Sequence, residues 1–439
     1  MIVSGGVLRS ISRFKLLLLS SALCVACVMP ASADELSDRM GALLTSHERI
    51  KAAQSDLEAA RAGVEVARGG YYPTASITGN QGNERISTHD TDTVTSYAQR
   101  EVDLNLTQTL YDFGAIDATV GSAGLRVQQA ESALEQTEQA ILLAGLSAEL
   151  NLASAKRVLD FQVQSEESIK RQTELEDARV KRGSGFSTDV LQAKTQLAGA
   201  QAARVRAEGA LEQAVNRYRA VFGDAPADLS AVGKMNIALT DIPEDVDGVV
   251  SAALEKNAQV IGAQLQAEIA NTEIDRSFAS GYRPVLTASA DQKYKRDVGG
   301  TQGVKNETLV KVELTYSFNF GFTAANTLKV AQSGHVAANS RLKDARDQIE
   351  EQARNAWQNL QTARANADFL ENQANIASEF LTLARKERTL GQRSLIDVLA
   401  GETSLISAQS AADRARTDVD VAVLTLLNVM GQLDLSVLQ

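Results

Sequence analysis

Gly183-Ser-Gly-Phe-Ser-Thr-Asp-Val190 is echoed later in the chain by Gly391-Gln-Arg-Ser-Leu-Ile-Asp-Val398. The correspondence runs on downstream. Leu191, Thr195, Leu197, Ala200 and Gln201 match Leu399, Thr403, Leu405, Ala408 and Gln409, all at an offset of 208 residues (397 − 189). Gly223 and Gly431 keep that offset. Each copy is a glycine-containing break between two long helix-like stretches, so each predicts the tip of a helical hairpin in an internally duplicated chain.

The arms of the hairpins come next. From Gly114 to Arg182, and from Gly321 to Leu390, the pattern is helical, about seventy residues or about 100 Å in each case if continuous. Phe369, Ile376, Leu383 and Leu390 recur every seventh residue, as do Val398, Leu405, Ala412, Val419, Leu426 and Leu433. Such spacing predicts a coiled-coil seam between the arms, with both rows packed inside it.

Before each hairpin the period changes from helical to two. Val102, Leu104, Leu106 and Leu110 alternate with Glu101, Asp103, Asn105, Thr107 and Thr109. Val310, Val312, Leu314, Tyr316, Phe318 and Phe320 alternate with Lys311, Glu313, Thr315, Ser317 and Asn319. Alternation puts each set on its own face of a sheet. Runs of about ten residues suit tilted membrane strands, with Val102, Leu104, Leu106, Val310, Val312 and Leu314 facing lipid. Weaker alternation at Ala75-Ile77-Gly79 and Leu286-Ala288-Ala290 predicts a partner strand for each, with polar loops over Asn80–Thr93 and Lys295–Asn306. Tyr71, Tyr72, Tyr111, Phe113, Tyr282, Phe320 and Phe322 gather near the strand ends as an interface girdle would.

A soluble sheet with one wet face is the alternative, and the aromatic ends and the leader disfavour it. Residues 1–33 read as a secretory signal: Arg9, Arg13 and Lys15, an apolar core over Leu16–Met29, then Ala31-Ser-Ala33. Both cysteines, Cys24 and Cys27, lie inside it, which leaves no disulfide or thiolate metal site in the mature chain. Cys24-Val-Ala is a poor lipobox and disfavours acylation of Cys27. No later stretch is as apolar, so no transmembrane helix is expected. Four strands do not close a barrel, and open edges in lipid leave backbone groups unpaired, so two, three or four chains must pool their strands. The expected fold is therefore mostly α with membrane β: four strands per subunit in an oligomeric β-barrel, continued by long coiled-coil hairpins. The divisions are 34–223 (first repeat: helix, two strands, hairpin), a linker over 224–248 with Pro226 and Pro243, and 249–439 (second repeat).

Composition excludes much else. Aromatics are 5% of the chain and prolines only five, which fits long helices packed through small residues. A net charge of −11 argues against nucleic acid as a partner. His47, His89 and His335 are isolated, with no metal-ligand spacing, and Lys181-Arg-Gly-Ser-Gly lacks the spacing of a phosphate loop. No catalytic constellation and no cofactor site is read, so the chain is not expected to be an enzyme.

The order of signal, helix, strand pair, hairpin, linker and repeat resembles the TolC family of outer-membrane efflux and secretion channels. Tyr111-Asp-Phe-Gly114, Ser187-Thr-Asp-Val190, Arg393-Ser-Leu-Ile-Asp-Val-Leu399 and the doubling itself carry the resemblance. It implies a trimer with a twelve-stranded barrel in outer-membrane lipid and a helical tunnel across the periplasm. It also implies two partners at the far end, an inner-membrane transporter and a periplasmic adaptor (membrane fusion protein). The tip context favours the type I secretion branch over drug efflux; a periplasmic scaffold outside the membrane is the alternative. At the tips the resemblance implies a latch from Arg393 to Thr188 and Asp189, with Asp397 in the pore. Arg388 replaces a latch tyrosine and is expected to turn to Asp189, and Ala400 replaces a second pore aspartate. Gly183, Gly185 and Gly391 are expected to reverse the chain and meet the adaptor. The usual Asn-Pro at the first helix of each repeat is replaced by His47-Glu48 and Asn257-Ala258, which leaves the helix entry open.

Overall fold

The computed structural model describes residues 31–88, 93–184, 186–226, 229 and 242–438. The expected signal falls almost wholly outside them, as do Cys27, His89, Gly185 and most of the linker. In order the elements are α1 (Ala31–Ser46), α2 (Glu48–Arg68), β1 (Thr74–Thr88), β2 (Thr93–Tyr111), α3 (Ala115–Lys181) and α4 (Ser187–Phe222). There follow α5 (Val246–Lys256), α6 (Ala258–Tyr282), β3 (Val285–Arg296), β4 (Val304–Thr315), α7 (Thr323–Thr389) and α8 (Leu395–Val429). The 208-residue offset reappears as structure: α3 and α7 are each 67 residues and start and end in step, and α4 and α8 begin in step.

The helix expected to begin each repeat is two helices, and the break is a capping event. His47 accepts from the amide of Arg49, and Asn257 accepts from that of Gln259, each residue with extended backbone. An acceptor side chain at that position satisfies a free amide and contributes about 1 kcal/mol. The missing Asn-Pro is thus replaced by two caps of the same kind. Asn257 also donates to the carbonyl of Val429, and the turn after α8 is pressed onto it. At Gly431 a Cβ would sit 2.4 Å from the carbonyl oxygen of Lys256, and φ is +68°. Only glycine fits there.

The four strands form one antiparallel sheet in the order β1-β2-β3-β4, with β1 and β4 as free edges. The expected loop over Asn80–Thr93 is mostly strand, because Thr74–Thr88 pairs continuously with Thr93–Thr107. The turn between β3 and β4 is likewise shorter than expected, its last pair being Arg296 with Val304. Tyr316, Phe318 and Phe320 lie outside β4. Pairing ends at Val285–Thr315 because β3 begins there, leaving these aromatics exposed beyond the last rung. A register shift between Thr109 and Tyr111 brings Tyr111 opposite Leu286, so the ring joins the apolar face.

Helix packing is organised by α3 and α7. Near the sheet they are flanked by α2 and α6; toward the tips, by α4 and α8. The main core gathers Met40, Ile50, Leu146, Ile349, Leu360 and Leu424 from both repeats. On α8 the expected row holds, with Val398, Ala412 and Leu426 buried, and Leu433 continues it in the turn that follows. On α7 it does not. Phe369, Ile376, Leu383 and Leu390 are exposed, and Ala367, Leu381 and Ala384 face inward instead. Small residues let α7 approach α8 closely, and the large apolar row then points away from its own chain. No helix among the described residues is long and apolar enough to cross a membrane.

Candidate functional site

The two tips are built alike from backbone chemistry. The amides of Gly183 and Ser184 donate to the carbonyls of Val180 and Arg179; those of Gly391 and Gln392 donate to Arg388 and Glu387. This 5→2 and 6→1 pairing satisfies the last carbonyls of α3 and α7 and requires a left-handed residue, supplied by Gly183 (φ +79°) and Gly391 (φ +75°). Helix α8 then starts on Ser394, whose hydroxyl accepts from the amide of Asp397.

The charged residues are arranged differently from the expectation. Arg388 donates through Nη2 to Glu176 Oε2 at 2.9 Å and through Nη1 to the carbonyl of Arg393 at 3.2 Å. Its partner is therefore Glu176, on the other hairpin, and not Asp189. Two turns of α3 hold Ile169, Thr173 and Glu176 on the buried side, which puts the acid within reach of α7. Arg393 turns back to its own hairpin, with Nε 2.6 Å from Glu387 Oε2 and its guanidinium 5.3 Å from the Phe380 ring centre. Within one chain it does not bond to Thr188 or Asp189. Thr188 and Asp397 are exposed and Asp189 half-buried, and among the described residues neither aspartate is in a salt bridge. The structure brings together Arg388, Arg393, Glu176 and Glu387; Thr188, Asp189 and Asp397 stand apart from them.

Two more charge sites lie along the hairpins. Arg385 and buried Glu402 join α7 to α8 at 2.5 Å. Further from the tips, Asp413 of α8 accepts from Ser154 at 2.7 Å and from Arg157 at 2.5 Å, both on α3. From Glu176 to Ser154 is about 30 Å of helix, so the hairpins are pinned at two heights. Between them α3, α4 and α8 enclose a groove of about 480 Å³ lined by Val158, Ser165, Gly199, Ala203, Arg206 and Arg414. Beside the upper pin, burial holds the Asp420 carboxyl above the ordinary aspartate range, with Arg157 acting in the opposite sense. Glu176 and Asp413 were missed from sequence. Their signal was an acid placed on a buried helical stripe, as in the spacing Ile169-Thr173-Glu176.

At the other end of the molecule, Val102, Leu104, Leu106, Val310, Val312 and Leu314 are all exposed and share one face of the sheet. The opposite face carries Glu101, Asp103, Lys293, Lys295, Glu307 and Lys311. An apolar exposed face backed by a charged one is the distribution of a barrel wall between lipid and water.

Comparison with known proteins agrees. The Outer membrane efflux protein family matches residues 40–224. The outer membrane protein TolC of Escherichia coli is 25% identical over 346 residues, covering 75% of this chain and 69% of the relative. The outer membrane efflux protein BepC of Brucella suis is 24% identical over 403 residues, covering 90% and 85%. A solved membrane protein from Pseudomonas aeruginosa shares the fold at a TM-score of 0.78 with 20% identity, over 91% of this chain and 90% of that one. The chain is accordingly similar, in sequence and in fold, to the TolC family of outer-membrane channels, with its sheet in the outer membrane and its helices extending into the periplasm.

Proposed function

We propose that the chain is the exit duct of a multipartite exporter, a conduit and not an enzyme. One observation carries the reading: the sheet has two free edges, an apolar outer face and a charged inner face. Unpaired edges in hydrocarbon cost several kcal/mol per backbone group, and pairing β4 of one copy with β1 of the next removes them. Three copies, as the resemblance implies, give twelve strands. The helices supply a matching edge. Toward the tips the order α4-α3-α8-α7 leaves α4 and α7 outermost, and α4 exposes Leu191, Ala198 and Val205 at the spacing of Phe369, Ile376, Leu383 and Leu390 on α7. Rows of equal period suit a coiled-coil contact between copies.

On this reading Val102, Leu104, Leu106, Val310, Val312 and Leu314 face lipid. Residues 34–223 and 249–439 are the two structural repeats, joined by 224–248 after a cleaved signal. Gly183, Gly185 and Gly391 present the tips to a periplasmic adaptor, and an inner-membrane transporter supplies the energy. Thr188, Asp189, Arg388, Arg393 and Asp397 form the periplasmic gate, with Arg388 acting through Glu176. Arg393 reaches Thr188 and Asp189 only by leaving Glu387.

The cargo is protein exported by a type I system, a reading supported by the tip context Arg182-Gly-Ser-Gly-Phe-Ser-Thr-Asp189. Efflux of small toxic compounds is the second reading, favoured by the similarity to BepC. Deleting the gene separates them. Loss of specific secreted proteins supports the first; an unchanged secretome with greater sensitivity to dyes and detergents rejects it. Recovery of the mature chain in soluble periplasm rejects the barrel and leaves the scaffold.

A further inference from the structure

We infer that Arg100 and Arg296 form a docking point for a phosphate group on a lipid headgroup of the outer leaflet, an inference that rests on the barrel reading above. The register of β2 and β3 sets Arg100 directly opposite Arg296, two rungs beyond the pair Val102–Tyr294 and therefore on the same apolar face. Both arginines are exposed. Like charges on directly opposed residues repel at a Cβ separation of about 5 Å, so the pair is disfavoured unless an anion lies between them.

Segregation of charge between the two faces sharpens the point. Among the described strand residues on the outward face, the charged ones are Arg85, Arg100 and Arg296, all basic. The acids Glu84, Glu101, Asp103, Asp291, Glu307 and Glu313 all point the other way. Arg296 meets Asp297 loosely at 3.6 Å, and Arg100 is in no salt bridge among the described residues.

Height selects the ligand. From Leu286 to Arg296 the strand climbs about 33 Å, or about 25 Å above the first rung at a tilt near 40°, which is the height of a barrel's apolar band. The rung lies toward the turns, at the end of the sheet away from the helices, where outer-leaflet headgroups begin. Two guanidinium groups side by side can grip the oxygens of one phosphate bidentately.

The test uses the full-length oligomer and an Arg100→Gln/Arg296→Gln double variant in detergent, with retained lipid counted by native mass spectrometry. The probes are lipid A bearing its phosphates, dephosphorylated lipid A, and inorganic phosphate. The wild type should retain the phosphorylated lipid at least about tenfold better than the dephosphorylated one, and the double variant should lose that preference. Both proteins should conduct equally in planar bilayers. An equal preference in the two proteins overturns the assignment. Displacement of the lipid by an equal concentration of inorganic phosphate overturns the lipid as ligand in favour of a free anion. A wild type that does not conduct at all rejects the barrel reading itself, a failure distinct from loss of the headgroup preference.

Discussion

Arg388 of α7 meets Glu176 of α3 at 2.9 Å, and this ion pair ties the two hairpin tips of one chain together. Glu176 is almost wholly buried, its side chain 6% exposed, and Arg388 is 25% exposed. If the arginine is removed, the buried acid keeps only the looser contact with Arg179, at 3.6 Å.

Removal of Arg388 or neutralisation of Glu176 should loosen the tips. Losing a partner for a buried charge costs about 1–3 kcal/mol, enough to shift a closed-to-open ratio about 5- to 150-fold. Arg388→Ala and Glu176→Gln are therefore expected to raise single-channel conductance in planar bilayers. If both variants conduct as the wild type does, the pair is structural only.

Asp397 gives a separate readout. It is exposed at the start of α8, and three copies would place three carboxylates around one opening. Asp397→Asn should reduce cation preference, measured as a smaller reversal potential in a potassium chloride gradient. An unaltered reversal potential removes it from the pore.

The exposed α7 row tests how copies associate. Ile376→Ser combined with Leu383→Ser should lower oligomer yield in size-exclusion chromatography with little loss of helical signal. Leu381→Ala, at a buried position between them on the other side of α7, should instead lower stability by about 2–5 kcal/mol. Oligomers of normal yield in the first variant would place the row elsewhere than between copies.

Gly431 and Gly183 separate strain from collision. Both have positive φ, but a Cβ at Gly183 meets nothing within 4 Å whereas one at Gly431 meets the Lys256 carbonyl at 2.4 Å. Gly183→Ala should cost about 1 kcal/mol and Gly431→Ala several times that, read from denaturant midpoints. Equal losses would refute the close packing of the α8 turn on the α5–α6 break.

Asp420 predicts a pH effect. Its folded pKa is raised by burial, so the native state binds the proton more tightly than the unfolded chain. That contribution is fully present below the ordinary aspartate value of 3.8 and fades as pH rises through the folded value. The thermal midpoint of Asp420→Asn should fall behind that of the wild type on acidification through this window. Parallel curves for the two proteins would contradict the shift.

Periodicity and punctuation were enough to read the hairpins, the paired strands and the duplication, because each is written in local chemistry. Gly183 and Gly391 end helices by their backbone freedom, and Val102-Leu104-Leu106 declares a face by its period of two. Tertiary contact decided what local pattern leaves degenerate. Seven-residue spacing marks an apolar row on α7 but not its neighbour, and small residues at Ala367 and Ala384 took the seam while Phe369 and Ile376 stayed outside. Alternation likewise continued through Phe318 and Phe320, yet a strand lasts only as long as its partner, and β3 starts at Val285. An arginine at a tip announces an ion pair without naming the acid. Glu176 became that acid because folding buried it on α3 within reach of Arg388.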